Sequence, residues 1–164
     1  MSVRSLLTSI TDPIAHAEAL DGPTAAITAF SERLPLPRPP AYVHPKLVLV
    51  PLTAWGSGKV FDLIGDRPAA QAVIGVGVLA AIPTAITGHE DWMHTATEAQ
   101  RVASVHAAVQ NLAISAYASS WFARRAGNHR AGVVLAWSGA LLLALGVLLG
   151  LDADRRGRGE PSQP

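Results

Sequence analysis

The chain has 164 residues and a net charge of +1, which suits one domain or one small helical bundle with tails. The near-neutral charge, and the absence of a basic stripe with interleaved aromatic residues, argue against a nucleic-acid partner. Because the chain has no cysteine, disulfides, thiolate zinc sites, cysteine-ligated iron–sulfur clusters and covalent c-type haem are excluded.

Three segments contain no Asp, Glu, Lys or Arg: residues 69–87, 102–123 and 131–151. Each has about the 20 residues that cross the hydrocarbon core of a bilayer. With a less regular span before them, they predict an all-α protein, an integral membrane four-helix bundle over residues 41–151. A soluble N-terminal segment with a proline-rich linker (1–40) precedes this bundle, and a polar tail (152–164) follows it.

In the N-terminal segment, Asp12-Pro13 predicts a helix start, with Asp at the N-cap and Pro at the first helical position. Asp21-Gly22-Pro23 is expected to break that helix. Residues 24–34 predict another short helix, and residues 34–40, with four prolines in seven positions, predict an extended spacer. No cleaved signal peptide is predicted, so the first hydrophobic helix must direct insertion.

The first span is predicted to run from His44-Pro45 to about Ile64. Within it, Lys59 and Asp62 are three residues apart and should share a helix face, where they can pair. The pair has two interpretations, which are interfacial snorkelling and a functional ion pair inside the membrane.

The later spans are separated by turn signals. Residues 65–68 predict a tight turn into the second helix, which should end at Thr87-Gly88. A loop of about a dozen residues follows, then a third helix that ends at Arg124-Arg125. A turn at 127–130 leads to a fourth helix that stops at Asp152.

Small residues recur every four positions and predict close helix packing. The second helix has them at 77, 81 and 85, the third at 103, 107, 111, 115, 119 and 123, and the fourth at 132, 136, 140 and 144, with Gly146 and Gly150 as a separate pair. Four spans would place both termini on one side of the membrane. The distribution of Lys and Arg favours cytoplasmic termini, by seven residues against five.

This topology gathers His44, His89 and His106 near Glu90 and Asp91. A cluster of His and carboxylate side chains can bind a divalent metal, two facing His can ligate haem iron, and imidazole can relay protons. His106 is the strongest candidate, because an ionisable group inside a span usually faces a partner or a cavity.

Other polar residues around this cluster have simpler interpretations. His89 lies in a loop that we expect to be solvated, and Trp92 is expected to anchor at the membrane interface. Gln110 and Tyr117 share the stripe of His106, apart from the ridge of Asn111, and are expected to make hydrogen bonds between helices. The sequence favours no enzymatic activity, since hydrolase, phosphate-loop and zincin motifs are absent.

Several of these motifs together resemble the bacterial membrane proteins grouped as domain of unknown function 2231. The resemblance covers about residues 40–151 and rests on His44-Pro45-Lys-Leu-Val-Leu-Val-Pro51, Phe61-Asp62, Ala85-Ile-Thr-Gly-His-Glu-Asp-Trp92, Arg101 and His106-Ala107. It implies a four-span domain of unassigned role, with candidate site residues His44, Asp62, Gly88, Asp91, Trp92, Arg101 and His106. The family places Asn where this chain has Gln110, with Asn111 next. Some relatives carry a Rieske-type iron–sulfur domain after the last span.

Three hypotheses follow. The first is a redox-accessory membrane subunit that holds haem b or quinone at His44 and His106 beside a Rieske-type or other electron-transfer protein. The second is a small transport or metal-handling protein. Its site is lined by His44, Asp91 and His106, and Lys59 and Asp62 lie further along its path. The third is a structural assembly subunit, with a homo-oligomer as one form.

Overall fold

The structure is a computed structural model that describes residues 3–33, 40 and 43–158. The proline-rich spacer predicted at 34–40, apart from Pro40, and the end of the polar tail lie outside these residues. The described part consists of helices and short turns, without a strand, which confirms the all-α prediction. Its elements are α1 (Val3–Ala15), a 3-10 turn (Glu18–Leu20), α2 (Asp21–Ser31), α3 (Val43–Leu47), α4 (Leu49–Ile64), α5 (Arg67–Met93), α6 (Thr97–Arg125) and α7 (His129–Gly157).

Three helices of the described part are long and apolar enough to cross a membrane: Val43–Ile64, which joins α3 and α4, Arg67–Met93 and His129–Gly157. The segment predicted as a further span, residues 102–123, lies in α6 and is not one of these three. Although α6 matches α7 in length, His106, Gln110, Asn111 and several serines lower its hydropathy.

Both predicted tight turns are present. Gly65 ends α4 with φ +82°, a left-handed conformation that glycine adopts without steric cost, and Asp66 then caps α5 by accepting a hydrogen bond from the Ala69 amide. Between α6 and α7, Gly127 has the same left-handed conformation (φ +81°), and Asn128 caps α7 by accepting a hydrogen bond from the Ala131 amide. These two turns make α4 antiparallel to α5 and α6 antiparallel to α7.

Predicted helix boundaries were wrong at the N-terminal segment. Asp12 and Pro13 lie inside α1 rather than at its start, because burial of Leu7, Thr11 and Ala15 outweighs the local capping signal. Asp21 begins α2 instead of breaking a helix. Pro23 is compatible with this start, since the first turn of a helix needs no amide donor.

Two boundaries in the bundle were also wrong. Helix α5 continues through Gly88 to Met93, so the predicted loop of a dozen residues shrinks to residues 94–96. Gly88 has a helical backbone, and His44 packs directly against it. Helix α7 extends past Asp152 to Gly157, where Asp152 pairs with Arg156 one turn later.

The interface of α6 with α7, which is the most extensive in the fold, is built on glycines. Four large side chains of α6 lie against four glycines of α7 in a constant antiparallel register: Arg124 on Gly132, Tyr117 on Gly139, Gln110 on Gly146 and His106 on Gly150. We call these four pairs the glycine ladder. The glycines of its first three pairs are seven residues apart, as are their partners on α6. This heptad spacing keeps one face of each helix towards the other.

Most of the small-residue ridge predicted on the third helix does not pack against another described helix of the same chain. Ala107, Asn111, Ser115 and Ser119 are exposed, on the outer face of α6. The stripe of His106, Gln110 and Tyr117 packs inwards instead, because the glycines of α7 leave room for long side chains there. Of the ridge predicted on α5, Gly77 and Ala81 are buried as expected and Ala85 is exposed.

The N-terminal helices dock on the end of the bundle that carries both termini. Ala15 of α1 is buried with Val102, Leu149 and Ala153 in one apolar cluster. Arg156 of α7 donates to the Asp12 carboxylate at 2.5 Å and to the Thr11 hydroxyl at 3.2 Å. This segment therefore covers the beginning of α6 and the end of α7.

Candidate functional site

His44 of α3 is held against the last third of α5. Its Nδ1 lies 3.0 Å from the carbonyl oxygen of Thr84 and 3.2 Å from the hydroxyl of Thr87. The ring packs on Gly88, where a Cβ would be only 2.7 Å from His44 Cε1. The candidate residue Gly88 thus provides the space that the imidazole occupies.

His106 of α6 is held in the same manner against α7. Its Nδ1 lies 2.6 Å from the carbonyl oxygen of Gly146, and its ring packs on Gly150, where a Cβ would be 2.9 Å from both Cε1 and Nδ1. Two histidines from different helices therefore share one arrangement: Nδ1 on a main-chain carbonyl and the ring on a glycine.

The carbonyl partners determine which imidazole nitrogen carries the proton. A carbonyl oxygen can only accept a hydrogen bond, so Nδ1 must be the donor in both rings. In the neutral ring Nε2 then keeps a free lone pair, and neither Nε2 has a hydrogen-bond partner among the described residues. Histidines that ligate metals have this arrangement, in which the second nitrogen donates to a carbonyl or carboxylate.

The two rings lie close enough to interact electrostatically. Asp91 belongs to the same layer, since its carboxylate interacts electrostatically with His44, with Glu90 and with His94. Asp91 lies on the last turns of α5, not in a loop as predicted. The layer of His44, Asp91 and His106, which we call the histidine layer, lies at the end of the bundle that carries the docked N-terminal helices.

Gln110 lies one turn beyond His106, towards the middle of α6. Its side chain packs on Gly146, and its Oε1 is buried without a hydrogen-bond partner in the described part of the chain. The expected hydrogen bond between helices is therefore missing at this oxygen. An orphaned carbonyl-type oxygen beside His106 can accept a hydrogen bond from a bound group or water.

Trp92 and His89 support the layer from the side. Trp92 is 7% exposed and its Nε1 donates to the Ser104 hydroxyl at 2.9 Å, so its indole packs inside the protein, while its anchoring at the membrane interface stays a prediction. His89 lies on α5 and stacks on Trp92 with ring centroids 5.4 Å apart. The extension of α5 to Met93 turns both rings towards the protein.

Arg101, a predicted cofactor-binding residue, binds the N-terminal segment instead. Its Nε and Nη2 donate to the two carboxylate oxygens of Asp21 at 2.7 Å, and Nη1 donates to the carbonyl of Ala15 at 2.8 Å. The hydrogen bond from Arg101 lowers the pKa of Asp21 below its ordinary value. Arg101 is thus placed to dock α1 and α2 rather than to contact a ligand at the histidine layer.

Lys59 and Asp62 lie at the opposite end of the bundle and do not pair with each other. Lys59 donates to the carbonyl of Ala136 at 2.7 Å and lies over the rings of Tyr117 and Trp137. Asp62 accepts two hydrogen bonds of 2.7 Å from Arg124. The predicted pair was wrong because other helices offer both groups better partners than their own helix does.

Several functional contacts were not predicted from the sequence. The carbonyls of Thr84 and Gly146 belong to main chain, which a residue pattern does not reveal. Arg124, assigned only as a helix end, has a side chain 1% exposed that joins α6 to α4. The repeated glycines at 132, 139 and 146 are the one signal that could have identified the α6–α7 interface, had their heptad spacing been read.

Among the described residues, no group of three or more His, Asp or Glu side chains is arranged to hold a metal ion. Comparisons of the chain with protein-family models, with curated proteins and with solved structures found no match.

Proposed function

We propose that the chain is a multi-pass inner-membrane protein whose joined α3–α4, α5, α6 and α7 form a four-helix bundle. The three apolar helices support this proposal. Helix α6 is expected to cross with them because it packs against both α5 and α7 and directs its long polar side chains to the glycine ladder. An even number of spans places both termini on one side, which we propose to be the cytoplasm.

We propose further that the bundle is a redox-accessory subunit, which binds haem b or quinone at the histidine layer. The observation that carries this is the matched geometry of His44 and His106, each with Nδ1 on a carbonyl and Nε2 without a partner. Two neutral Nε2 lone pairs from different helices are the donor set of a bis-histidine haem. The same lone pairs could accept hydrogen bonds from quinol hydroxyls.

A partner follows from this proposal. Electrons must reach and leave the bound group, so a Rieske-type or other electron-transfer protein would dock near the histidine layer. The resemblance to domain of unknown function 2231, some of whose members carry a Rieske-type domain, motivates that choice and remains part of the proposal.

The test is an absorption spectrum of the detergent-purified protein, oxidised and then reduced with dithionite. Haem b would give a Soret band and sharp reduced bands, which His106→Ala and His44→Ala should abolish. His94→Ala is the matched control, because His94 also places Nδ1 on a carbonyl (2.9 Å, Glu90) but is exposed. Pigment that survives in His106→Ala would exclude bis-histidine ligation. A colourless protein that also yields no quinone on solvent extraction would exclude the redox proposal.

The transport or metal-handling hypothesis loses support at two points. Its metal-handling form needs a cluster of metal ligands, which the described residues do not form. It also needed Lys59 and Asp62 along a path, and both are held in contacts between helices.

Assembly is a second candidate function, favoured by the outer face of α6. Asn111 lies at the midpoint of this helix, exposed, and its side chain makes no hydrogen bond within the described residues. Inside a bilayer, an unsatisfied amide is costly, whereas two amides can satisfy each other across a two-fold axis. Ala107 and Ser115 beside it permit close approach of a second copy.

Disulfide cross-linking in membranes tests this face. The chain has no native cysteine, so Asn111→Cys introduces a single thiol on the outer face, and Val134→Cys, on the exposed surface of α7, is the control. Dimers from the first variant alone would support a pair of copies joined through α6. Equal cross-linking of both variants would indicate random collision and contradict the proposed interface.

A further inference from the structure

A second site lies at the end of the bundle opposite the histidine layer. A cavity of about 400 Å³ opens there between the beginning of α5, the end of α6 and the beginning of α7. Arg67, Gln71, Arg124 and His129 contribute polar side chains to its walls. Arg67 and His129 are the first residues of two of the apolar helices, so the cavity lies at the level where spans end and lipid headgroups begin.

The cavity walls carry excess positive charge. Arg124 is paired with Asp62, whose Oδ1 also lies 3.5 Å from His129 Nε2. Arg67 has no ion-pair partner among the described residues, although it lies close enough to His129 to interact electrostatically. The nearby carboxylate of Asp66 is turned onto the Ala69 amide. Asp62 therefore pairs with one arginine, and the guanidinium of Arg67 is in ion-pair contact with no carboxylate among the described residues.

Gln71 adds a neutral donor to this charge. Its half-buried side chain makes no hydrogen bond within the described residues, and its amide can donate two. A guanidinium with a free fork beside an amide donor suits the oxygens of a phosphate group.

An apolar strip continues from the cavity along α5. Pro68 and Ala72 line the cavity, and Val76 and Leu79, 54% and 68% exposed, follow on the same helix face. A headgroup in the cavity would therefore place its acyl chains along a surface that already faces lipid. A free phosphate would make no use of this strip.

From the charge, the donor and the strip, we propose that the cavity binds the phosphate headgroup of an anionic phospholipid. This inference rests on the proposed membrane placement and is independent of the redox proposal. Arg67 and Gln71 bind the phosphate, while Arg124, which is paired with Asp62 behind it, forms the inner wall.

Native mass spectrometry of the full chain in detergent tests the site, with phosphatidylglycerol, phosphatidylcholine and inorganic phosphate as separate probes. We expect phosphatidylglycerol to remain bound and Arg67→Gln to weaken its binding about fivefold, the contribution of one basic residue near an anionic headgroup. The matched control is Arg130→Gln, which removes the same charge from an exposed position one residue after His129 and should change binding less than twofold.

Three results would overturn the proposal: equal retention of phosphatidylcholine, equal weakening by both variants, and displacement of the lipid by inorganic phosphate at similar concentration. The last would assign the cavity to a soluble anion. Membrane placement is measured separately, because a protein that alkaline carbonate removes from membranes would contradict the placement itself.

Discussion

Substitution of Gly77 tests the crossing of α4 and α5. Gly77 lies under the indole of Trp55, and an alanine Cβ there would be 2.3 Å from Nε1 and 2.5 Å from Cδ1. The ring cannot swing aside, because it is 2% exposed, stacks on Tyr117 at 4.1 Å with 2° between the planes, and donates to the Ile74 carbonyl at 3.3 Å. Gly77→Ala must therefore separate the helices or expel the indole.

The magnitude follows from three contributions. Overpacking a buried site costs about 1–3 kcal/mol, and disturbance of the aromatic stack adds about 0.5–1.5 kcal/mol. Replacing glycine by alanine within a helix returns about 1 kcal/mol. We expect Gly77→Ala to lower the free energy of unfolding by about 2 kcal/mol. Gly56→Ala on α4 is the control, since its Cβ meets nothing within 4 Å and should be neutral or stabilising by up to about 1 kcal/mol.

The measurement is the free energy of unfolding in mixed micelles, by titration with SDS followed by near-ultraviolet circular dichroism. A double-mutant cycle isolates the contact: once Trp55→Ala removes the ring, Gly77→Ala should no longer destabilise. Equal midpoints for Gly77→Ala and the parent protein would show that α4 and α5 do not cross at this point.

Two further predictions concern the ion pairs. Arg124→Gln should cost about 3–5 kcal/mol, because it leaves the buried Asp62 carboxylate unpaired, and Arg124→Gln combined with Asp62→Asn should recover most of that loss in the same SDS titration. The pKa of Asp21 is lowered, so its contact with Arg101 stabilises docking of α2 fully at a pH above 3.8, the ordinary pKa of the carboxyl. This stabilisation is lost as the pH falls through the lowered pKa of folded Asp21. A spin label attached at Ala25→Cys should therefore become more mobile in acid. In the Asp21→Asn variant the same label should already be mobile at neutral pH and should show no acid transition. An acid transition that persists in Asp21→Asn would come from another group.

The sequence revealed the helices better than their contacts. Charge-free segments and the turn residues at Gly65 and Gly127 are local signals, and they located the long helices and the two turns between them correctly. The end of α5 was misplaced because Thr87-Gly88 carries a local stop signal, whereas α5 continues to Met93 with His44 packed on Gly88. The contact with His44 comes from another helix, and no local pattern contains it.

The candidate site was predictable in type but not in detail. His44 and His106 were identified from their positions near span ends, and the structure brings them into one layer with Asp91. The contacts of Arg101 and Lys59 were not predicted, because their partners, Asp21 and the Ala136 carbonyl, lie 80 and 77 residues away in sequence. Long side chains reach partners on other helices, so spacing along one helix cannot predict their contacts.

The glycine ladder explains why α6 has a lower hydropathy than its neighbours. Under the proposed membrane placement, α6 needs apolar residues only where it faces lipid, and it directs His106, Gln110 and Arg124 to α7. Their polar groups are costly in an isolated α6 but less so once Gly146 offers its carbonyl and Gly132 makes room for Arg124. Helix α6 is therefore expected to insert stably only together with α7. Asn111 lies on the opposite face of α6, where α7 offers its side chain no hydrogen-bond partner. A second copy of the chain is therefore the partner proposed there.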